Sequence, residues 1–350
     1  MPYTITATGP YQSLICQFIA QQFPRQTSDH GELVDLIEAE LYGTKQVRYG
    51  PKPTAESQVA IRETIRRRVQ HGQPIPIVVP WGSEKPDGSS IDLAELMALQ
   101  ALLSLSHGIR RHYSAGTDIR IRIEDASAPH LFHTRAAEAR QQAAAYTRDM
   151  HALVDVLESP LAIAAESYSI TEEEFNAAAD ARLADFEGAV MAQSTARLKE
   201  RWGWKGDFNP KMLDYYLGQY EKLYPGNDPR ETRLLLARYL AGASARSQLG
   251  LRGDKKEWGG DYLEVSFVQP VPGTEGHFGK RVHYRTLPLT CTSNHIPPWR
   301  AKGLFLVGDD DSLTPKLANF RDQVGLMENS VTLVNGNRRV SMRADCAVGE

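Results

Sequence analysis

Three clusters of residues in the chain have the types and spacing for chemistry. The first is the loop 81–90, with Trp81, Glu84 and Lys85, just ahead of Asp92 and Glu95. A lysine beside a helix start suits a phosphate or carboxylate, because free N–H groups and the helix dipole attract anions there. The same residues also make an ordinary capped turn. The second cluster is Glu124 and Asp125. Neighbouring strand residues face opposite sides, so one of the two carboxylates points into any given cleft. There it would act as a general base or bind an amine. The third is Thr290-Cys-Thr-Ser-Asn-His-Ile-Pro-Pro-Trp-Arg300, a polar loop stiffened by prolines. Loops of this kind carry binding residues on a rigid scaffold. His295, Trp299 and Arg300 are its candidates, with Cys291 a nucleophile only where His295 reaches it.

Other polar groups fit plainer roles. His130 and His133 form a loop pair. A metal site needs three or four ligands, and no third stands nearby, so no metal is expected. His130 remains a candidate substrate contact. Arg62 and Arg66-Arg-Arg68 spread around a helix as a solvated face. Trp202-Gly-Trp204 and Tyr215-Tyr216 read as packing aromatics.

These groups need elements to position them. Apolar spacing predicts helices over 11–24, 31–42 and 55–71, and a long one over 92–107 capped by Ser89, Ser90 or Asp92. Pro74–Pro80 is a β-branched run bounded by prolines and reads as a buried strand. Asp118–Asp125 alternates through Ile119, Ile121 and Ile123, so it is a strand with one apolar face. Helices are expected over 134–157, 171–200, 209–223 and 229–248. Strand segments follow at Tyr262–Gln269 and Lys280–Leu289, taken as a hairpin across a long loop, and at Leu304–Val307. A further hairpin turns at Asn335-Gly-Asn337.

The order strand, loop, helix, strand defines an α/β class: a Rossmann-like mixed sheet flanked by helices, with a helix-rich middle and C-terminal β strands. The parts are 1–133, 134–250 and 251–350. Ligands in such sheets sit outside the carboxyl ends of the strands. That rule points to the loops 81–90 and 124–133.

Composition narrows the class. The 350 residues are 41% hydrophobic and 24% charged, with a net charge of −3. That balance lacks the basic excess of a nucleic-acid binder. Cys16, Cys291 and Cys346 are scattered and odd in number, a reduced-compartment pattern. No apolar stretch approaches the ~20 residues of a membrane span, and Met1–Gln12 lacks a signal-peptide pattern. A cytoplasmic enzyme on small molecules is expected, without membrane or nucleic-acid partners. The signatures GxGxxG, GxxxxGK[ST], HExxH and GxSxG are absent, so no cofactor is expected.

One family resemblance adds to this. In the chain, Ile75-Pro-Ile-Val-Val-Pro80, Lys85, Asp92-Leu-Ala-Glu95, Tyr113-Ser-Ala-Gly116 and Ile119–Asp125 follow one another. Later come Tyr262-Leu-Glu-Val-Ser266, Phe278-Gly-Lys280-Arg281 and Pro298-Trp299-Arg300. In order and spacing these resemble motifs of the isocyanide synthase family, the pyoverdine/dityrosine biosynthesis group, over about two thirds of the chain. Three positions depart from it. Glu124-Asp125-Ala126 stands for Ser-Asp-Gly, Glu264-Val-Ser-Phe-Val268 for Arg-Leu-Ser-Ile-His, and Arg300 for a histidine. They mark a divergent member. The resemblance implies condensation of an amino acid or related amine with ribulose 5-phosphate, leaving an isocyanide carbon on nitrogen. It would give Lys85 and Arg285 to anions and Asp125 to the amine or a proton transfer. Lys85, Asp125 and His295 are then the catalytic candidates. Asp92, Glu124, His130, Arg285, Trp299 and Arg300 are the substrate-binding ones. Two other readings stay open: a group transferase on another phosphorylated or nucleotide-linked substrate, and a binding protein without catalysis.

Overall fold

The structure is a computed structural model. It describes residues 4–9, 11–12, 14–16, 33–43, 53–82, 85, 90–124, 136–165, 172–192, 217–218, 221, 226–248, 261–267, 280–284, 297–310, 312–318 and 326–348. Its centre is a parallel sheet. In chain order the elements around it are α1 (Leu33–Tyr42), α2 (Ala55–Gln70), β2 (Ile75–Gly82), α3 (Leu93–His112), β3 (Thr117–Glu124), α4 (Ala136–Val156) and β4 (Leu161–Ala165). Then come α5 (Glu172–Met191), α6 (Pro229–Gln248), β5 (Leu263–Ser266) and β6 (Arg281–His283). An N-terminal strand, β1 (Thr4–Thr8), precedes them all.

Among the described residues the central sheet runs β4-β3-β2-β5-β6, with every pairing parallel. The strand order reverses direction between β2 and β5. That is the topological switch point, where open α/β sheets hold their ligands.

The antiparallel strands sit apart from this sheet. A 3-10 helix, Pro298–Arg300, leads into β7 (Lys302–Val307). β7 lies between β8 (Leu313–Ala318), which is antiparallel to it, and β11 (Cys346–Val348), which is parallel. β9 (Ser330–Asn335) and β10 (Arg338–Arg343) form the hairpin expected around Asn335-Gly-Asn337, and β1 pairs with β9. The mixture of strand directions expected from the sequence is therefore present, but it is divided among three sheets.

Two expectations change. Tyr262–Gln269 and Lys280–Leu289 do not form a hairpin: β5 and β6 pair in parallel, Glu264 against Arg281 and Ser266 against His283. The helical middle also contains β4, whose Leu161-Ala-Ile-Ala-Ala extends the sheet beside β3. The predicted helices over 31–42, 55–71, 134–157, 171–200 and 229–248 correspond to α1, α2, α4, α5 and α6. Most of the expected helices over 11–24 and 209–223 lies outside the described residues, as do Trp202, Trp204, Tyr215 and Tyr216.

Alternation divides the sheet into two unlike faces. Ile77, Val79 and Trp81 of β2, Ile119, Ile121 and Ile123 of β3, Leu263 and Val265 of β5, and Val282 of β6 all belong to the main hydrophobic cluster, with α1, α2, α3 and α4. α5 and α6 pack on each other through Phe186, Val190, Leu236 and Leu240, in a cluster of their own. No helix among the described residues is long and apolar enough to cross a membrane.

Candidate active site at the switch point

β2 ends at Gly82, and three residues later Lys85 turns into the interior. Its ammonium lies 2.7 Å from Asp92 Oδ2 and 2.8 Å from Glu95 Oε2. It also donates to the Ala301 carbonyl at 2.9 Å. An ammonium has three protons, so these partners satisfy it. The two acids are there because α3 starts there. Asp92 is the N-cap and accepts from Ala94 N at 2.7 Å, while Asp92 N donates to Glu95 Oε2 at 2.8 Å, which completes a capping box. Gly303 N, at the start of β7, donates to both Asp92 oxygens at 3.2 Å. A Cβ on Gly303 would collide with the Ala94 nitrogen, so only glycine permits this approach.

The chain of hydrogen bonds continues through α4. The Tyr146 hydroxyl donates to Glu95 Oε1 at 2.8 Å, and Trp81 Nε1 donates to the Tyr146 oxygen at 2.8 Å. Trp81 in turn packs against Trp299 at 5.3 Å and edge-on to Phe267 at 5.7 Å. Gly82 makes room for Trp299, since a Cβ there would land on the indole. The end of β2, the residue after β5 and the 3-10 helix therefore meet in one aromatic wall at the switch point.

The electrostatics follow from burial. One ammonium faces two carboxylates, all of them nearly or fully enclosed. Burial pushes the Glu95 carboxyl up to about 8, with Asp92 adding to the rise and Lys85 opposing it. Burial alone would lower the Lys85 ammonium, but Asp92 and Glu95 outweigh it and hold it above its ordinary value. Burial also raises Tyr146 well above the usual phenol range.

The second face of the central sheet is polar. Asp118, Arg120 and Arg122 of β3 alternate with the isoleucines, and Glu264 and Ser266 of β5 and Arg281 of β6 hold matching register positions. Arg122, Glu264 and Ser266 are buried. Arg120 pairs with Asp118 at 2.9 Å, and Arg281 with Glu264 at 2.6 Å. Strands buried in a parallel sheet are ordinarily apolar on both faces. Pro76, Val78 and Pro80 of β2 and Ala162 and Ala164 of β4 share this side, and Val78 is buried but stands outside the main cluster.

The structure relocates several residues picked out by sequence. Lys85, assigned to an anion, is drawn inward by the acids of the helix cap. Asp92, assigned to substrate, is occupied by Lys85, Ala94 N and Gly303 N. Trp299 is 5% exposed and packs as a wall. The Arg300 guanidinium lies 6.0 Å from the Tyr239 ring centre of α6, at cation–π range. Glu124 closes β3 in register with Gly82; its side chain lies outside the described residues, as do Asp125, His130, Arg285, Cys291 and His295. Sequence reasoning did not give Tyr146 or Arg122 a role. Tyr146 has no signal beyond helical spacing. Arg122 had one: charged alternation in a strand flanked by buried ones.

The described architecture is that of an open α/β sheet whose strand order reverses between β2 and β5. No protein-family model and no curated protein matches the chain. Its fold is shared with the PvcA protein from Pseudomonas aeruginosa: TM-score 0.55 at 15% identity, covering 83% of this chain and 93% of that one. Two archaeal enzymes overlap more loosely. They are the tryptophanyl-tRNA synthetase of Aeropyrum pernix K1 (TM-score 0.32, 13% identity, 67% of this chain and 59% of that one) and the tyrosyl-tRNA synthetase of Archaeoglobus fulgidus (0.33, 13%, 73% and 64%). That overlap is too loose to bear on this chain.

Two outcomes follow from the buried cluster. Lys85→Met leaves two enclosed acids without a counter-ion and costs about 3–5 kcal/mol, read from the urea midpoint; adding Glu95→Gln recovers part of it. Glu95 is also raised in the folded state, from 4.5 to about 8. Its contribution is therefore full below pH 4.5 and is lost as pH rises through 8. Melting temperature should fall across that window, and Glu95→Gln should flatten the fall.

Proposed function

We propose that the chain is a biosynthetic enzyme of the isocyanide synthase kind, joining the nitrogen of an amino acid or related amine to a carbon of ribulose 5-phosphate. The observation that carries this reading is the fold shared with PvcA over most of both chains. Beside it stands the motif order of the sequence, which resembles that of the isocyanide synthase group. A second support is independent of that likeness: a parallel sheet that keeps one face polar at the switch point suits charged small substrates.

In this reading Lys85, Asp92 and Glu95 are positioning residues. They tie the loop after β2 to the start of α3 and to the segment before β7, and so set the floor of the crevice. Substrate contact falls to other groups. Asp125 follows the last residue of β3 and is assigned proton transfer or the amine. His295, Arg285, His130 and Glu124 keep the assignments that the sequence suggests, with Arg300 at the end of the 3-10 helix.

The test is mass spectrometry of purified protein incubated with ribulose 5-phosphate and a pool of amino acids and amines. A product that has gained one carbon and lost two hydrogens from nitrogen is expected. A folded protein that forms no such product from any amine would overturn the reading and leave a group transferase or a binding protein without catalysis.

A further inference from the structure

A short piece of chain, Pro297–Ala301, covers the carboxyl end of β2. It lays the Trp299 indole against Gly82 and packs it on Trp81 at 5.3 Å. The piece is stiff. Arg300 N donates to the Pro297 carbonyl at 3.0 Å and Ala301 N to the Pro298 carbonyl at 3.3 Å, and two prolines restrict its backbone. It is anchored downstream, because Lys302 and Gly303 belong to β7 and pair with Ala318 and Leu317 of β8. Arg300 lies 6.0 Å from the Tyr239 ring centre. The Ala301 carbonyl ties the piece to the interior by accepting from Lys85.

The groups behind that tie can change charge. Lys85 meets Asp92 and Glu95 of α3, and Tyr146 of α4 donates to Glu95. Asp149 of α4 takes the Ser90 hydroxyl. β10 bridges to Asp92 at Arg343, whose side chain pairs with Asp345 and Glu328, and Lys302 pairs with Asp345 as well. One ammonium offsets one carboxylate, so a second enclosed acid is tolerated best with its proton on. Once that proton leaves, an extra charge is sealed in a buried site, and water is the cheapest way to solvate it. Among these partners of Lys85 the Ala301 carbonyl alone is uncharged, so it is the one that water displaces.

From this arrangement we propose that Pro297–Ala301 is a flap over the switch point, latched through Ala301 by the Lys85, Asp92 and Glu95 cluster and released when the acid pair loses a proton. Release moves Trp299 off Gly82 and opens the carboxyl end of β2. Burial pushes the Glu95 carboxyl up to about 8, so the flap is shut below that pH and opens above it. The inference rests on the proposed function only in taking the opened end of β2 as the way in for substrate.

The test is fluorine NMR of the full chain labelled with 5-fluorotryptophan, across about 1.5 pH units either side of 8. The line of Trp299, among the five tryptophans, is assigned by its loss in Trp299→Phe, and circular dichroism follows the fold at each pH. In the wild type the Trp299 line should shift with a midpoint near pH 8 while the fold persists. In Glu95→Gln it should stay at its low-pH position throughout. A line that does not move, that moves equally in Glu95→Gln, or that moves only as the dichroism is lost overturns the proposal. If Glu95→Gln does not fold, Tyr146→Phe decides. It removes a donor to the Glu95 carboxylate, so the midpoint should rise, and an unchanged or lower midpoint overturns the proposal. A Trp299 titration without isocyanide formation keeps the flap and removes the proposed reaction. Isocyanide formation with a Trp299 line that ignores pH does the reverse.

Discussion

The architecture at the switch point depends on one buried ammonium. Lys85 accepts a fully enclosed position because two carboxylates and a carbonyl surround it. Those partners come from different places: Asp92 and Glu95 from the first turn of α3, and Ala301 from the segment before β7. A buried ion pair contributes little net stability against an apolar alternative, but it is demanding about geometry. Here it fixes where the loop after β2 ends and where α3 begins. The Gly303 amide on Asp92 ties the C-terminal strands to the same point.

From that point the two faces of the sheet divide their work. The isoleucine face makes the core with α1 to α4. The other face keeps arginines, acids and a serine in strands that are otherwise β-branched and buried. A fold that needed only stability would fill both faces with apolar side chains. The polar face adjoins the place where strand order reverses, which the general rule for open α/β sheets marks for ligands. Trp81, Trp299 and Phe267 pack together at the carboxyl end of β2.

Much of this was legible in the sequence, and the reasons are specific. The alternation of Ile119, Ile121 and Ile123 gave β3, and the proline-bounded run at Ile75 gave β2. Ser89, Ser90 and Asp92 marked the start of α3, and Asp92 is the cap. The Lys85 loop was picked out for chemistry, but sequence cannot show that a lysine seven and ten residues from two acids folds back on both. β4 escaped notice because Leu161-Ala-Ile-Ala-Ala is short and alanine-rich, and alanine is depleted in strands; pairing with β3 makes it a strand. β5 and β6 looked like a hairpin because they are near in sequence. Their direction is set by β2, which takes β5 in parallel, and such long-range pairing leaves no local mark. The same holds for β1, whose partner β9 lies at the far end of the chain. Tyr146 reaches Glu95 across 51 positions.

The proposed function puts substrate at the switch point between β2 and β5. Hydrogen–deuterium exchange with and without ribulose 5-phosphate and an amino acid tests it most directly. Slower exchange in peptides spanning β2, β3 and β5, with the β9–β10 hairpin unchanged, is expected. Protection confined to the hairpin, or none anywhere at saturating ligand, would contradict it.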